Sequence, residues 1–536
     1  MKRMSRPPHD SFLRLIQFLL FFVFLAPPLL ANAANLPLQI INIKPAGTGS
    51  PAIPSTHRIF HAYPGIEYKI RAAVGGGDYP YAYALSNAPS GMTVDAAGYI
   101  RWPNPQTNAT NIGLRITDST GNYINTSWSI SVHTSGFRFV DVSSQTNGTG
   151  TIGSPHNSIA NMAVAAAATD IIYFRSGTYS VPARGTQSIG NASAFEFENP
   201  SSTAAIWLAY PSANVTINLT NNRYFYGATS VPFYFEGLRF YQGREYFFRA
   251  SSTSNYVTFL DNTFDTLTLE RTNYNSNQGT YFTMHGDTGH YLTFQGNTFS
   301  GYRGAQGIGS LYDQDMVLIE DNHFSDFSGA NLGATNQVFA FKIGIANLTF
   351  RGNVVNLAST SDFGIMGGNN NGAFSDGTPY GYGSTSENIE ISYNYFRHDG
   401  RGLVEFNRYN DQGTTWFYRN TVVSGLQMTN LNEDCDGPWT VNNNVFQNSS
   451  AGLSYHYTCT GNYTACLSQT GNIGATSAVV DSGGKLLSSR TASVGVAGWQ
   501  FPDGSTPMDH TYTPGAGSSA TPAAPSPMGL NITTAQ

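Results

Sequence analysis

Lys342 is the side chain that first suggests chemistry in this sequence. It lies between Phe341 and Ile343 in the segment VFAFKIG, where apolar residues recur at every second position. If the apolar side chains face a core, Lys342 faces solvent from a β-strand. Such a lysine can be an ordinary surface charge, but it can also be a proton-accepting base or a clamp for an anion. The residues alone leave both interpretations open.

Other polar side chains fall on the same side of similar segments. The alternation in YFTMHGD exposes His285, and that in LVEFNRYN exposes Glu405 and Asn407. Arg408 follows at the end of the second segment. His285 can donate or accept a proton, although a single histidine on a sheet is as often only a hydrogen-bonding residue. Together these residues predict one polar surface that carries a base and a positive charge.

A repeat indicates the elements that must carry this surface. Segments such as LTFQGNTF and VLIEDNHF alternate apolar and polar residues, reach an Asn, and continue with a Phe two residues later. The Asn residues recur at spacings of 35, 25, 31, 41, 26 and 24, at Asn262, Asn297, Asn322, Asn353, Asn394, Asn420 and Asn444. The shortest spacings set one coil and the longer ones measure loops, so we predict a solenoid. We expect each Asn to occupy a left-handed turn and to hydrogen-bond the Asn of the next coil, with the Phe in the core.

Composition favours an all-β protein. Only 11% of the 536 residues are charged, while Gly, Asn, Ser, Thr and Tyr are abundant. This balance argues against a helical bundle and against charge-driven disorder. The net charge of −6 gives no global reason to expect nucleic-acid binding. The chain is too long for one compact core, which predicts more than one unit.

Four regions are predicted along the chain. Residues 1–33 have the pattern of an export signal, because basic residues precede an apolar run and a small-residue cleavage site. Residues 36–133 alternate like a small β-sandwich, residues 137–490 form the solenoid, and residues 503–536 form a flexible Pro-, Ser-, Gly- and Ala-rich tail. We therefore predict a secreted monomer with no stable membrane insertion after cleavage. One disulfide with one thiol left over is expected among Cys435, Cys459 and Cys466.

Two stretches resemble known families. The region from Phe137 begins with FRFVDVSSQTNGTG, continues with an Ala-rich helix at 158–168 and ends with the strand that leads into RSGTY. This region resembles the entry of pectin-lyase-like parallel β-helix proteins. A short helix caps the first coil in that superfamily. The stretch GGGDYPYAYALSNAPSGMTVDAAGYIRW resembles immunoglobulin-like, cadherin-like modules of bacterial secreted proteins, which implies a spacer or binding accessory. The implied fold is a right-handed parallel β-helix preceded by a small β-sandwich.

The segment VFAFKIGIANLTFRGNVV is similar to the part of the polysaccharide lyases of this superfamily in which a mid-strand lysine is the catalytic base. The resemblance implies β-elimination on a uronate-containing polysaccharide, with Lys342 as base and Arg408 as its partner. Calcium is a cofactor in many such lyases, but Gln337–Phe341 contains no carboxylate, and we assign no metal ligand. The expected substrate-binding residues, including tyrosines that can stack on sugar rings, are Glu405, Asn407, Tyr312, Tyr380, Tyr382 and Tyr409.

Three alternatives remain open at this stage. A glycoside hydrolase needs two carboxylates about 5–10 Å apart. The carboxylates considered for that role are Asp313, Asp315, Glu405 and Asp434. A uronate epimerase would use the same proton abstraction without elimination. A non-catalytic glycan-binding or adhesin solenoid would use the groove only to hold sugar.

Overall fold

The structure is a computed structural model, and it describes the strands with their adjoining turns. The described residues are 36–186, 188–189, 192–197, 204–220, 223–227, 232–244, 247–250, 255–268, 282–284, 289–302, 309–311, 314–325, 337–341, 345–357, 363–368, 387–398, 404–407, 414–423, 427–431, 439–442, 445–447, 454–457, 467–470, 479–480 and 486–488. Within them, strands are numbered β1 to β44 in chain order.

The solenoid consists of three long sheets that the chain visits in turn. The first sheet contains β10 (Phe137–Val140), β11 (Ile171–Phe174), β15 (Ile206–Ala209), β18 (Tyr234–Glu236), β21 (Val257–Leu260), β24 (Gly289–Gln295), β27 (Gln314–Glu320), β30 (Ala346–Arg351), β33 (Glu387–Ser392), β36 (Thr415–Tyr418), β39 (Trp439–Asn442) and β42 (Leu467–Thr470). The second sheet contains β12 (Gly177–Ser180), β16 (Val215–Asn218), β19 (Leu238–Arg244), β22 (Thr263–Thr268), β25 (Thr298–Tyr302), β28 (His323–Phe324), β31 (Val354–Leu357), β34 (Tyr395–His398), β37 (Thr421–Val423) and β40 (Val445–Gln447).

The third sheet completes each coil. It contains β13 (Ser188–Ile189), β14 (Ala192–Glu196), β17 (Arg223–Gly227), β20 (Phe248–Ala250), β23 (Phe282–Met284), β26 (Gly309–Leu311), β29 (Gln337–Phe341), β32 (Phe363–Gly368), β35 (Val404–Asn407), β38 (Gln427–Leu431), β41 (Ser454–Tyr457), β43 (Val479–Val480) and β44 (Leu486–Ser488). Successive coils pair in parallel, and only the terminal pairs β13–β14 and β43–β44 are antiparallel among the described solenoid strands. Parallel crossovers are right-handed, so the predicted right-handed parallel β-helix is confirmed.

The Asn residues form the predicted ladder inside the turns between the first and second sheets. Asn297 Nδ2 donates to Asn322 Oδ1 at 2.9 Å and to the Phe259 carbonyl at 2.9 Å. The same pattern joins the described members from Asn262 to Asn420. These buried amides satisfy backbone groups that the turn leaves without a strand partner.

One detail of the predicted turn is wrong. The left-handed residue is the one before each Asn, as in Asp261 with φ 56° and Gly296 with φ 66°. Asp321 and Gly352 continue this series with φ 55° and 65°. The chain bends at that residue, which leaves the Asn free to place its amide between coils.

Stacked aromatic side chains fill the interior. Phe264 packs on Phe299 with ring centroids 5.0 Å apart and planes 8° apart, and Phe299 packs on Phe324 at 4.9 Å. All three side chains are buried, as predicted from their position two residues after an Asn. A parallel sheet with one residue of each type per coil brings like side chains into columns, and offset stacking of these rings adds to the burial energy.

A helix covers the N-terminal end of this interior. Helix α1 (Ile159–Ala165) begins after Ser158, whose Oγ accepts a 3.2 Å hydrogen bond from the Asn161 N–H. Ile159 and Met162 face the same core as the aromatic columns. The predicted helical cap is therefore present, and it protects the first coil from edge pairing.

The β-sandwich precedes the solenoid. Its strands are β1 (Gln39–Ile40), β2 (His61–Ala62), β3 (Tyr68–Arg71), β4 (Val74–Gly75), β5 (Ala82–Ser86), β6 (Thr93–Val94), β7 (Tyr99–Trp102), β8 (Ala109–Thr117) and β9 (Tyr123–Val132), with a short 3₁₀ helix at Arg58–Phe60. The sheet orders are β2-β9-β8-β5, β3-β7-β6 and β1-β4.

The sandwich packs directly against the outer face of the first sheet. Leu318 and Trp416, which point away from the solenoid interior, belong to the same buried cluster as Ile70 and Trp128 of the sandwich. Their neighbours in sequence, such as Ile319 and Phe417, belong to the solenoid core instead. The sandwich therefore belongs to the same compact unit as the solenoid, and its predicted role as a spacer or binding accessory stays a prediction.

Candidate functional site

A buried polar network lies between the outer face of the first sheet and the sandwich. Arg351 on β30 is fully buried, and its Nη2 lies 2.5 Å from Glu320 Oε1 on the preceding coil. The same guanidinium donates to the Val74 carbonyl at 2.7 Å and to the Tyr81 hydroxyl, both in the sandwich. An arginine with its donors satisfied from both sides ties the two parts of the protein together.

Lys69 and Arg71 are basic residues of the sandwich that reach the turns of the solenoid. Lys69 Nζ lies 2.8 Å from Asp261 Oδ2 and 3.1 Å from Glu236 Oε1. Arg71 pairs with Asp321, and its Nη2 also lies 3.5 Å from Glu320 Oε2. The carboxylates at 261 and 321 precede ladder asparagines, so the sandwich grips the solenoid at equivalent points of different coils.

The buried carboxyl groups of this network respond differently to their surroundings. Burial alone would raise the pKa of Glu320, but the charges of Arg351 and Arg71 hold that pKa below its ordinary value. Burial raises the pKa of Asp321 to about 6, against the opposing charge of Arg71. Burial also raises the pKa of Glu390, whose Oε1 accepts from Ser392 and Tyr418. No hydrogen-bond partner for Glu390 Oε2 occurs among the described residues.

The third sheet is the candidate site, because it contains the strands from which the polar surface was predicted. The three segments from which the polar surface was predicted, YFTMHGD, VFAFKIG and LVEFNRYN, contain β23, β29 and β35, and these strands share this sheet as predicted. One row of paired positions runs across the sheet through Glu196, Tyr226, Arg249, Thr283, Ser310, Ala340, Met366, Glu405, Thr429 and His456. Neighbouring positions in such a row are about 4.8 Å apart.

The predicted catalytic residues directly follow strands of this sheet in sequence. His285 follows β23, Lys342 follows β29 and Arg408 follows β35, and all three lie outside the described residues. Of the predicted substrate-binding residues, Tyr312, Tyr380, Tyr382 and Tyr409 lie outside them as well.

The register relates the strand ends to one another. Met284 pairs with Leu311, Leu311 pairs with Phe341, and Phe341 pairs with Gly367. Asn407, in turn, pairs with Gly368. The positions 285, 312 and 342 are each one residue beyond this row. β29 and β35 are separated by one strand, β32, so the strands that precede Lys342 and Arg408 in sequence belong to coils two apart, as the sequence predicts.

Tyr226 and Arg249 are candidate site residues that the sequence did not suggest. Phe225 and Phe248 point into the core, so the residue after each faces outward, and both Tyr226 and Arg249 are partly exposed. They are paired positions in the row that also contains Glu405. The pattern was readable in RYFYG, whose coil lacks an Asn marker, and in FFRA, which precedes the marker Asn262 but was not used.

No family model matches the sequence, and no curated protein matches it. Among solved structures, pectate lyase Pel9A has a TM-score of 0.39 at 14% identity, covering 72% of this chain and 90% of that chain. A rhamnogalacturonan lyase has a TM-score of 0.38 at 14% identity, covering 70% and 95%. The catalytic domain of a GH87 alpha-1,3-glucanase, in complex with nigerose, has a TM-score of 0.32 at 12% identity, covering 76% and 81%.

Asp315, one of the carboxylates considered for hydrolysis, lies on β27 in the first sheet, whereas Glu405 lies on β35 in the third. Asp315 Oδ2 contacts His290 Nδ1 at 3.2 Å, and its Oδ1 accepts from Asn347 Nδ2 at 2.7 Å. The Asp315 carboxylate is therefore occupied by His290 and Asn347 on the first sheet. Asp313 and Asp434 lie outside the described residues.

No group of three or more His, Cys, Asp or Glu side chains that could hold a metal ion occurs in the part of the chain that the structure describes. The described strand Gln337–Phe341 has no carboxylate to offer calcium, so no catalytic step is assigned to that ion. Across the same described ranges, no helix is long and apolar enough to cross a membrane.

Proposed function

We propose that this protein is an exported polysaccharide lyase that cleaves a uronate-containing polysaccharide by β-elimination in a groove on the third sheet. The single observation that supports this site most is the strand register. It aligns the strand ends before His285, Tyr312 and Lys342 in adjacent coils of one sheet.

Lys342 is the proposed base. In the elimination it takes the proton from the carbon next to the uronate carboxylate, and the electrons of that C–H bond form a carbon–carbon double bond. The bond from the neighbouring carbon to the glycosidic oxygen breaks at the same time, and the leaving oxygen gains a proton. A free lysine is protonated at neutral pH, so Lys342 needs a lowered pKa for this role, which nearby positive charge can supply.

Arg408 is the proposed positive charge that lowers the pKa of Lys342. Arg408 would pair with the uronate carboxylate and stabilise the charge that develops on it as the proton leaves. His285 is the proposed proton donor to the leaving oxygen. Glu405 and Asn407 would hydrogen-bond sugar hydroxyls, and the stacking role falls to Tyr312, Tyr380, Tyr382 and Tyr409.

Arg249 and Tyr226 would extend the groove toward the N-terminal coils. β20 and β29 are three strand spacings apart, which is about 14 Å. A polysaccharide lying along the solenoid axis would reach Arg249 several sugar units from the bond that Lys342 attacks. An arginine and a partly exposed tyrosine suit an acidic sugar, because one meets its carboxylate and the other its ring face.

A substrate screen tests the proposal. Purified protein is incubated with acidic and neutral polysaccharides, and both the ultraviolet absorbance of unsaturated uronate and the release of reducing ends are measured. A lyase produces both signals together. Reducing ends without absorbance would indicate a hydrolase, and binding without either signal would indicate a glycan-binding solenoid, and each of these results overturns the proposal.

A further inference from the structure

One face of the sandwich sheet that contains β5, β8 and β9 is open to solvent. Alternate residues of these strands pack into the sandwich core, among them Leu114 and Trp128. The residues between them form the open face, which carries mostly small and polar side chains such as Ala84, Asn125 and Ser129. The open face is therefore flat apart from two larger side chains.

Arg115 and Tyr123 are these two side chains. Arg115 Cζ lies over the Tyr123 ring, 3.7 Å from its centroid, and the tyrosine is 53% exposed. Neither an ion-pair partner nor a hydrogen-bond partner for the Arg115 side chain occurs in the described ranges. Contact with the ring holds the guanidinium in place and leaves its N–H donors for an acceptor from outside the chain.

The open face carries a local positive charge on an acidic protein. The sequences of β5, β8 and β9 contain Arg115 and no Asp, Glu or Lys, whereas the whole chain has a net charge of −6. Asp118, which directly follows β8, is buried, and its oxygens accept hydrogen bonds from Thr120 and Asn122. An anion at the open face therefore meets Arg115 without a repelling carboxylate on the same strands.

This chemistry distinguishes between classes of partner. A protein partner needs an apolar interface centre, and Tyr123 is the only exposed large apolar side chain on the three strands. Nucleic acid has a charge at every phosphate and needs several cations, but the three strands supply one. An acidic polysaccharide presents separated carboxylates, hydroxyl groups and ring faces. These groups match an arginine, amide and hydroxyl side chains, and a tyrosine.

We propose that the open face of the sandwich is a second polysaccharide-binding surface, separate from the groove on the third sheet, and that its ligand is a uronate polymer, a choice that rests on the proposed function. Arg115 pairs with a uronate carboxylate, and Tyr123 packs on a sugar ring through the side of its own ring that Arg115 leaves free. Asn125 is directly opposite Arg115 in the strand register, so its amide can bind hydroxyls of the same sugar.

The surface would act on long chains. It extends about 27 Å along β9 from Tyr123 to Ser131, which is room for several sugar units. A polymer bound there stays attached to the protein between encounters with the groove, so the second contact raises the effective concentration of substrate.

The test measures binding of the full chain by affinity electrophoresis in gels that contain polygalacturonate, alginate or dextran. We expect at least one of the two acidic polymers to retard the wild type, and neutral dextran to have no effect. Arg115→Gln should raise the dissociation constant for that acidic polymer about ten-fold. Ala84→Glu places a carboxylate opposite Arg115 and should weaken binding at least as much. Both effects should shrink at high salt.

Arg101→Gln is the matched control, because Arg101 is a partly exposed arginine of the other sandwich sheet and pairs with Glu67. This variant should bind like the wild type. An absence of binding by the wild type, unchanged binding by the Arg115 and Ala84 variants, or an equal loss in Arg101→Gln would each overturn the proposal. Sedimentation showing a dimer that Arg115→Gln dissociates would identify a second copy of the chain as the occupant and would overturn it too.

Because binding is measured without turnover, the two proposals fail separately. Binding that depends on Arg115 in a protein that cleaves no polymer would overturn the lyase assignment and support the surface. Turnover by a protein whose binding does not depend on Arg115 would overturn the surface and leave the lyase assignment in place.

Discussion

Arg71 of the sandwich forms an ion pair with Asp321 of the solenoid across a boundary where both side chains are almost completely buried. Asp321 occupies the left-handed position immediately before the ladder residue Asn322. The sandwich therefore contacts the solenoid at the turn that fixes the coil register. Arg351 lies beside this pair, because Glu320 contacts both Arg71 and Arg351.

Replacement of Arg351 by Met should destabilise the protein strongly. The change leaves Glu320 and the Tyr81 hydroxyl buried without the guanidinium that now contacts both. Loss of one partner from a buried pair typically costs about 3–5 kcal/mol. Chemical denaturation would measure the free energy of unfolding. Arg239→Met is the control, since Arg239 pairs with Asp265 on the exposed second sheet and should cost at most about 1 kcal/mol.

Stability should depend on pH through Asp321. Its pKa is about 6 in the folded protein and 3.8 ordinarily, so the folded state binds a proton more tightly than the unfolded state. The resulting stabilisation is complete below about pH 4 and is lost as the pH rises through about 6, with a size of about 1–3 kcal/mol. The pKa of Glu320 is shifted downward, so that its carboxyl contributes stability at neutral pH that is lost only as the solution becomes strongly acidic. Unfolding measured across this window should show a fall that Asp321→Asn removes; an unchanged fall in the variant would assign it to another group.

Asn322→Ala should weaken the ladder. Asn322 accepts from the Asn297 backbone N–H at 2.9 Å and donates to the Phe294 carbonyl at 2.9 Å. Each buried group left without a partner costs about 1–3 kcal/mol, so we expect a loss of about 3 kcal/mol in thermal or chemical denaturation. Asn125→Ala, at an exposed position of β9, should change stability by less than about 0.5 kcal/mol. Equal effects of the two substitutions would contradict the structural role of the ladder.

Arg249→Ala should weaken binding of long acidic substrates. We expect KM to rise about ten-fold with kcat unchanged, because the residue would contact sugar far from the bond that breaks. The effect should shrink at high salt and disappear with oligosaccharides too short to span from Lys342 to Arg249. Arg239→Ala removes an arginine from the second sheet and should leave KM unchanged. Loss of affinity in both variants alike would point to overall charge instead of a local contact.

Lys342→Ala should remove most turnover on the identified substrate while leaving the melting temperature close to that of the wild type. Positioned acid–base catalysis is typically worth about 100- to 10,000-fold, so kcat should fall by that order. Circular dichroism and a melting curve check the fold. Wild-type turnover in the variant would show that Lys342 is a surface charge.

The sequence was sufficient for features that repeat. The Asn ladder, the Phe columns and the shared sheet of β23 to β38 were predictable because each coil restates the same pattern in a fixed register. The docking of the sandwich was not predictable in this way. Arg351 alternates with apolar residues as a solvent-facing side chain does, and its burial depends on Tyr81 and Val74, which lie 270 and 277 residues away in sequence. The roles of Lys342, Arg408 and His285 stay predictions, since these residues lie outside the described ranges.

The position of the sandwich changes how a protein of this shape should unfold. A solenoid whose coils contact only their neighbours can lose its ends one coil at a time. Here the sandwich contacts many coils at once. Its Lys69 pairs with Glu236 on one coil, and its Tyr79 carbonyl accepts a hydrogen bond from Tyr393, 314 residues away, on another. Fraying of any of these coils would also expose sandwich surface. We therefore expect the coils under the sandwich to melt in a single cooperative transition, and any stepwise loss of structure to be confined to the coils beyond it.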